Sequence, residues 1–363
     1  NAFIVLDFNE LLMQSDAQLL IDANTVEMVN VTNVTRAAAV TLPLKIFNDS
    51  VVEIVGNTFQ TGILVSAGNG NSFRLISSHD VEWTPSNSSI LVEENRFNVT
   101  SKASAAILKI EATGAGEFNV SFLNNEVHMT QTKDLPTEIE PSMEVSKNKG
   151  SVLDCETTFA PGSVFNASGN TIVMVNDLPK MSLIGIEVRL SSNRTTVMVN
   201  DGTHQDDVTT FYIRNNNVSL TGTLPHEGSV PSRILLPIIA MRPGDGSGSS
   251  DHPIQLRILN NEVASNAFGG GFVYASGIVV TTATDGDAVF PVMHPWSVVD
   301  ISGNTVNANW TGLLKNVSAI TQFDATFTDG CKLRMSENTV GLCSRSLGVR
   351  HRIQQHPLHS IFH

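Results

Sequence analysis

The feature that most constrains this chain is a short segment that recurs nine times around an asparagine. The residues five and three places before each asparagine, and two places after it, are apolar in all nine copies, with Ala167 the only small one. Alternating apolar residues lie on one face of a β-strand. A glycine or asparagine precedes six of the nine, which indicates a left-handed bend between two strands. The aligned asparagines are Asn24, Asn57, Asn95, Asn125, Asn170, Asn216, Asn261, Asn304 and Asn338.

The spacing of the repeats predicts a solenoid. Successive asparagines are 33, 38, 30, 45, 46, 45, 43 and 34 residues apart. Four intervals are close to twice a coil of about 22 or 23 residues, and Asn148 and Asn193 lie near the midpoints of two of them. One coil cannot bury its own apolar face, so coils must stack with their strands in parallel. We therefore expect an all-β, right-handed parallel β-helix of about 14 to 15 coils over residues 1–343, clearest from residue 15, and an irregular basic tail over 344–363.

Stacked coils place the aligned asparagines above one another. We expect them to form a ladder inside the bend, in which each side-chain amide bonds to the next and satisfies the bent backbone. This role is structural. The alternative, in which the ladder binds a ligand, is less favoured because a residue repeated at a buried bend usually serves the bend.

Three copies of the repeat, FYIRNNNVSL (211–220), LRILNNEV (256–263) and VDISGNTV (299–306), resemble the coils of the right-handed parallel β-helix of the pectin-lyase-like superfamily. Within it, the asparagine-rich and cysteine-poor sequence, with second strands such as SLIGIEVRL (182–190) and SGIVVTT (276–282), resembles the dispersed gene family of trypanosome surface proteins. The resemblance implies an adhesin-like glycoprotein that is secreted or lies at the cell surface. It also implies that this chain is a fragment of a larger, membrane-anchored protein.

Charge and hydropathy exclude two classes of partner. Lys and Arg total 22 against 35 Asp and Glu, a net charge of −13 that disfavours nucleic acid. No window holds the roughly 18 consecutive apolar residues of a membrane-spanning helix. The chain has only 3 cysteines, and whether Cys331 and Cys343 pair or stay reduced is open.

Asn-x-Ser/Thr sequons are enriched, with eleven against about six expected by chance, which is suggestive of a glycosylated surface. If the apolar repeat positions point inward, Asn98, Asn119, Asn166 and Asn217 point outward and are the N-glycosylation candidates. The eleven are Asn30, Asn33, Asn48, Asn87, Asn98, Asn119, Asn166, Asn193, Asn217, Asn309 and Asn316.

The parallel β-helix also carries polysaccharide lyases and glycoside hydrolases, and fold alone does not give function. Glycoside hydrolysis needs two carboxylates about 5 to 10 Å apart. Of the polygalacturonase motifs only the pair Asp206 and Asp207 is present, with His204 nearby. These three residues would be catalytic if the chain were such an enzyme. The histidines near the end match no metal-ligand spacing, so neither a metal nor a cofactor is expected.

The sequence thus favours a noncatalytic surface or adhesin-like glycoprotein segment that presents a β-helix to an extracellular protein or glycan. A polysaccharide lyase or glycoside hydrolase of the pectin-lyase-like superfamily is the alternative.

Overall fold

The structure of the chain is a computed structural model. The structure describes residues 2–8, 11–29, 31–34, 36–43, 45–46, 49–66, 73–77, 81–82, 87–101, 105–113, 117–131, 148–157, 159–177, 181–189, 208–223, 232–242, 253–268, 272–282, 295–311, 313–320 and 329–345.

Within this described part the regular elements are all β-strands, 31 in number. None of it forms a helix long and apolar enough to cross a membrane. The strands are β1 (Ala2–Asp7), β2 (Leu12–Met13), β3 (Gln18–Asp22), β4 (Thr25–Met28), β5 (Val31–Val34), β6 (Arg36–Thr41), β7 (Lys45–Ile46), β8 (Val51–Val55), β9 (Thr58–Ser66), β10 (Phe73–Ser77), β11 (Val81–Glu82), β12 (Ser88–Glu93), β13 (Arg96–Ser101), β14 (Ala105–Thr113), β15 (Phe118–Leu123), β16 (Glu126–Gln131), β17 (Asn148–Thr157), β18 (Val164–Ser168), β19 (Thr171–Asn176), β20 (Met181–Arg189), β21 (Thr209–Arg214), β22 (Asn217–Thr223), β23 (Ser232–Arg242), β24 (Ile254–Leu259), β25 (Glu262–Phe268), β26 (Phe272–Thr282), β27 (Val298–Ser302), β28 (Thr305–Thr311), β29 (Leu313–Ile320), β30 (Lys332–Ser336) and β31 (Thr339–Arg345).

The strands build three parallel sheets, and each coil of the chain contributes one strand to each sheet. The first sheet has the order β1-β6-β10-β14-β17-β20-β23-β26-β29, with β11 attached to β14. The second is β3-β8-β12-β15-β18-β21-β24-β27-β30, and the third is β4-β9-β13-β16-β19-β22-β25-β28-β31, with β5 attached to β9. A small fourth sheet pairs β2 with β7. The chain is a right-handed parallel β-helix, in agreement with the handedness of parallel crossovers.

The number of coils differs from the prediction. Consecutive asparagine repeats pair directly: Val120 of β15 is opposite Phe165 of β18, although 45 residues separate them. The long intervals are therefore single coils with more residues between their strands. The described part of the chain forms nine coils, so the prediction of 14 to 15 was wrong, and these nine coils rise about 40 Å at 4.8 Å per coil. Asn148, which lies near the midpoint of one long interval, begins β17 in the first sheet, and Asn193 lies outside the described residues.

The core is a column of apolar side chains enclosed by the three sheets. The strands of the second and third sheets alternate buried and exposed residues along their length, as in β12 and β16. In the interior coils every apolar residue of the asparagine repeat is buried. Like residues stack on like: the rings of Phe59 and Phe97 lie 5.1 Å apart and nearly parallel.

The first sheet is buried on both faces over part of its length. Its strands β20, β23 and β26 supply the main core with one face, and a second apolar cluster on the other face joins Ile184, Ile239 and Val279. Strands covered on both faces consist of nearly continuous apolar runs. This explains sequences such as ILLPIIAM in β23.

At the end of the described chain, β31 extends to Arg345. The remainder of the predicted irregular tail, residues 346–363, lies outside the described residues.

Candidate functional sites: the asparagine ladder and the outer face of the second sheet

A left-handed residue precedes each of the nine aligned asparagines. The φ angles of these residues lie between 53° and 71°. Three are glycines, which adopt this conformation without strain. The others include Glu94 and Glu337, whose side chains make the left-handed backbone costly. The bend between the second and third sheets is thus the same in every coil, whatever residue occupies it.

The side chains of all nine aligned asparagines form one hydrogen-bonded ladder along this bend. Asn261 is typical. The backbone N–H and the side-chain Nδ2 of Asn216 donate to Asn261 Oδ1 over 3.0 and 2.9 Å. Asn261 in turn donates through its N–H and Nδ2 to Asn304 Oδ1, both over 2.9 Å, and through Nδ2 to the carbonyl of Ile213 over 2.9 Å.

Every polar hydrogen and both acceptor positions of the Asn261 side chain are therefore engaged by protein groups. Asn261 is 98% buried. The same pattern runs from Asn24 to Asn338. In the interior coils the ladder satisfies the bent backbone and presents no atom to a ligand.

A second polar column, which sequence reasoning missed, lies where the chain enters the second sheet. Buried Ser or Thr occurs seven residues before the aligned asparagine in several coils. The Oγ of Ser163 accepts from the N–H of Phe118 over 3.0 Å, and that of Ser297 accepts from the N–H of Ile254 over 3.1 Å. An alignment extended by two positions would have revealed this column.

The four N-glycosylation candidates all lie on the outside of the solenoid. Asn98 and Asn217 are exposed, and Asn119 and Asn166 are half-buried. Asn119 Oδ1 accepts from the N–H of Val164 over 2.9 Å, so its amide is held against the neighbouring coil.

The catalytic candidates Asp206, Asp207 and His204 lie outside the described residues. On the outer face of the first sheet, however, adjacent coils place Asp154 opposite Glu187, and the carboxylate of Asp154 lies 4.0 Å from Lys109 Nζ. Paired carboxylates at the spacing of adjacent strands are close to what a retaining glycosidase uses. Asp154 is 98% buried, which keeps it from a substrate. Within the described ranges no group of three or more acidic, His or Cys residues could hold a metal ion.

On the outer face of the second sheet, acidic and basic residues are separated along the stack. We define the second-sheet face as the residues six, four and two places before the aligned asparagine. In the first three coils its charged residues are acidic, and in the last four coils they are basic with one acidic exception. The acidic residues are Asp22, Glu53 and Glu93, and the later charged residues are Arg214, Arg257, Asp300, Lys332 and Arg334.

Tyr212 organises the arginines at the start of the basic part. The guanidinium carbon of Arg214 lies 5.0 Å from the centre of its ring, and that of Arg257 lies 5.9 Å from it. Arg214 Nε also donates to Ser168 Oγ over 3.2 Å, and Arg257 Nη2 donates to Gln255 Oε1 over 3.1 Å. Cation–π contacts at such sites contribute about 0.5–1 kcal/mol each. They hold both guanidinium groups against the face, where neither forms an ion pair with an acidic residue of the described chain.

Sequence reasoning missed this arrangement. The aligned repeats could have revealed it, because they place the charged residues of the face at three fixed positions relative to the asparagine. Comparisons of the chain with protein-family models, with curated proteins and with solved structures found no match.

Proposed function

We propose that the chain is a noncatalytic segment of a surface glycoprotein, and that it binds an extracellular partner through the basic part of the second-sheet face. The observation that carries the proposal is the pair of guanidinium groups of Arg214 and Arg257 against Tyr212, on a flat face of an otherwise acidic chain. Repeat solenoids offer such long regular surfaces for binding.

The distribution of sequons supports the surface assignment. Six sequon asparagines have described side-chain environments, and none of them is buried. The Ser or Thr two places later is also not buried in any of them, and in five of the six the two residues share a strand face. A glycosyltransferase needs access to both. The six are Asn87, Asn98, Asn119, Asn166, Asn217 and Asn309. This pattern, together with the repeat, is what we would expect of a member of the dispersed gene family of trypanosome surface proteins.

The chemistry of the face favours an anionic partner. Guanidinium groups bind carboxylate and sulfate through paired hydrogen bonds, and pre-positioned side chains lose less entropy on binding. Lys332 and Arg334 add cations two coils further, beyond Asp300, whose carboxylate lies 3.9 Å from Arg334 Nη1. An acidic glycan presents several anionic groups along its length, and three of the last four coils offer cations on this face, with Asp300 in the coil between Arg257 and Arg334. We therefore infer a sulfated or uronate-containing glycan as the partner.

The binding test uses a heparin-type glycan immobilised on a sensor. We expect retention that weakens with salt. Replacing both arginines, as Arg214→Gln with Arg257→Gln, should weaken binding about tenfold or more. Arg96→Gln is the matched control, since Arg96 is exposed on the third sheet beside Glu126. Equal losses in the double variant and the control, or no retention of the parent protein, would reject this face as the binding site.

The surface assignment has its own test. Protein made in a eukaryotic secretory host should carry glycans at Asn98, Asn166 and Asn217, as determined by peptide mapping. Secreted protein that is bare at all three sites would remove the glycoprotein assignment. Incubation of the same protein with pectin-like and other polysaccharides addresses the enzyme alternative. Cleavage that disappears when Asp206 and Asp207 are changed to Asn would establish catalysis instead.

A further inference from the structure

One large apolar side chain on the surface of the solenoid has an unfavourable backbone conformation. Trp296 lies in the turn that leads into β27, and its φ angle is 70°. With 71% of its surface exposed, it is also the most exposed large hydrophobic residue of the described chain. A left-handed backbone is costly for a bulky residue, and burial of the side chain does not offset that cost here. Backbone strain of this kind is concentrated at functional sites, where residues hold ligands.

The turn itself does not require an aromatic residue. Its left-handed position lies eight places before the aligned asparagine, and other coils fill it with small or polar residues. Asparagine, aspartate and glycine tolerate the left-handed region far better than tryptophan does. The shape of the turn therefore does not account for the indole of Trp296. The left-handed residues at this position in other coils are Asp16, Asp49, Asn87, Gly162 and Gly330.

The next coil holds the indole in place. A Cβ added at Gly330 would lie 2.6, 2.7 and 2.9 Å from Cε3, Cδ2 and Cζ3 of Trp296, which are consecutive atoms of the six-membered ring. Such similar distances place the glycine over one face of the ring, in a space that only glycine leaves free. The N–H of Trp296 also donates to the carbonyl of Asp329 over 3.2 Å. One face of the indole is thus supported by protein, and the high exposure of the residue leaves the opposite face to solvent.

The indole lies beside the basic part of the second-sheet face. Gly330, which it covers, is two residues before Lys332, and both Lys332 and Asp329 are exposed. In the preceding coil Arg257 lies four positions further along the strand direction. At 3.3 Å per residue and 4.8 Å per coil, about 14 Å separates the Cα atoms of Trp296 and Arg257. A short oligosaccharide can span this distance.

These surroundings fit one ring of a carbohydrate. The face of an aromatic ring carries negative potential and attracts C–H groups, such as those on the flat side of a pyranose ring. Lys332 offers a donor and Asp329 an acceptor to the polar groups around such a ring. Because Gly330 already supports the indole, little side-chain freedom is lost when a ligand stacks on it.

From these features we infer that Trp296 is a sugar-binding residue. A pyranose ring of the acidic glycan stacks on the open face of the indole, and anionic groups of the same glycan bind Arg257 and Arg214. This inference rests on the proposed function, because the glycan is the partner proposed there. It adds a requirement for sugar rings to a site that was argued above from charge alone.

The test compares two polyanions, of which only one has sugar rings: a heparin-type octasaccharide and linear inorganic polyphosphate. Trp296→Asn introduces the residue type that Asn87 already provides at this position, so the turn is kept. It should weaken octasaccharide binding about fivefold, the size of one aromatic contact, and leave polyphosphate binding unchanged. Trp296→Phe keeps a ring and should retain most of the affinity. Phe268→Asn, which removes an exposed aromatic residue from the third sheet, is the matched control and should bind both ligands as the parent does.

Indole fluorescence supplies a second measurement. The octasaccharide should shift the emission of the parent protein to shorter wavelength, because water leaves the face of Trp296, and polyphosphate should not. The shift should be absent from Trp296→Asn, although this variant keeps Trp83 and Trp310. A parent protein that binds the octasaccharide without this shift would overturn the inference.

The variants separate failure of this inference from failure of the proposed function. If Trp296→Asn bound the octasaccharide as the parent does, or lost affinity for both polyanions equally, stacking would be rejected and the arginine site would stand. If Arg214→Gln with Arg257→Gln kept full affinity while Trp296→Asn lost it, the arginine site would be rejected and stacking would stand. A parent protein that binds neither polyanion would overturn both.

Discussion

Replacing Asn261 by leucine breaks the ladder at its most enclosed point, with coils on both sides. The leucine cannot accept from Asn216, whose backbone N–H and one side-chain N–H lose their acceptor. It also cannot donate to the carbonyl of Ile213 or to Asn304 Oδ1. Four hydrogen bonds are lost, and two of the affected groups are donors left in a dry bend.

A buried donor without a partner costs about 1–3 kcal/mol, so the two stranded donors alone cost about 2 to 6 kcal/mol. The apolar gain from leucine does not offset this, because the ladder position lies among polar groups of the bent backbone. We expect the midpoint of urea unfolding, followed by circular dichroism, to fall accordingly. Hydrogen exchange should report the local defect directly, with the backbone amide of Asn216 losing much of its protection.

Asn266→Leu is the matched control. Asn266 lies in the same strand, β25, but faces outward and is half-buried. Surface substitutions of this kind change stability by less than about 0.5 kcal/mol. If the two variants lost equal stability, or if the amide of Asn216 kept its protection in Asn261→Leu, the ladder would not be the element that holds the bend.

Three further predictions concern the same corner. Glu94→Gly should raise the free energy of unfolding by up to about 1 kcal/mol, since φ is 54° there and glycine removes the left-handed strain at some cost in unfolded-state entropy. Gly169→Ala should lower it by about 1 to 2 kcal/mol, because the new Cβ adds that strain and would lie 2.3 Å from Asn124 Oδ1, which must move. Asn338→Leu, at the half-buried end of the ladder, should cost less than Asn261→Leu because water can replace the lost bonds. Urea unfolding of each variant measures all three, and a Glu94→Gly protein that is less stable than its parent would contradict the strain argument.

The fold and the bend could be predicted because they depend on local rules that every coil repeats. A period of two in the apolar residues identifies a strand with one buried face, as in β12, β15 and β24. The residue before the asparagine is left-handed in all nine coils, even where it is Ala23 or Glu337. The repeated asparagine therefore predicts the bend better than the identity of the left-handed residue before it.

The number of coils could not be predicted from the spacing alone. Interval lengths near 45 residues are numerically twice a short coil, but a coil is defined by which strands pair and not by how many residues join them. Loops leaving a solenoid can grow at little entropic cost, because loop-closure entropy rises slowly with length. Asn125 and Asn170 are 45 residues apart and yet adjacent in the ladder, with Asn125 N–H donating to Asn170 Oδ1 over 2.9 Å.

The second-sheet face was missed for a different reason. Reasoning from the repeat concerned the buried positions, where like residues recur and a pattern is visible. Outward positions such as those of Tyr212 and Arg257 vary from coil to coil, since water accommodates any polar side chain there. What an outward residue can bind depends on its neighbours in the adjacent coils. For example, Asn166, Tyr212 and Arg257 follow one another in a single column. Only the register makes that column visible.

The division between invariant interior and variable exterior also bears on how such a chain acquires a binding function. The ladder and the apolar columns satisfy the backbone and bury the core without using any outward side chain. Substitutions at most outward positions thus leave the stack intact, and charge can be redistributed along the face at little cost in stability. Asn119 is an exception, because its Oδ1 accepts from the backbone N–H of Val164. The separation of the acidic first coils from the basic last coils is therefore not a by-product of folding. It is the kind of feature that selection for a partner would produce in a scaffold that tolerates many different outward side chains.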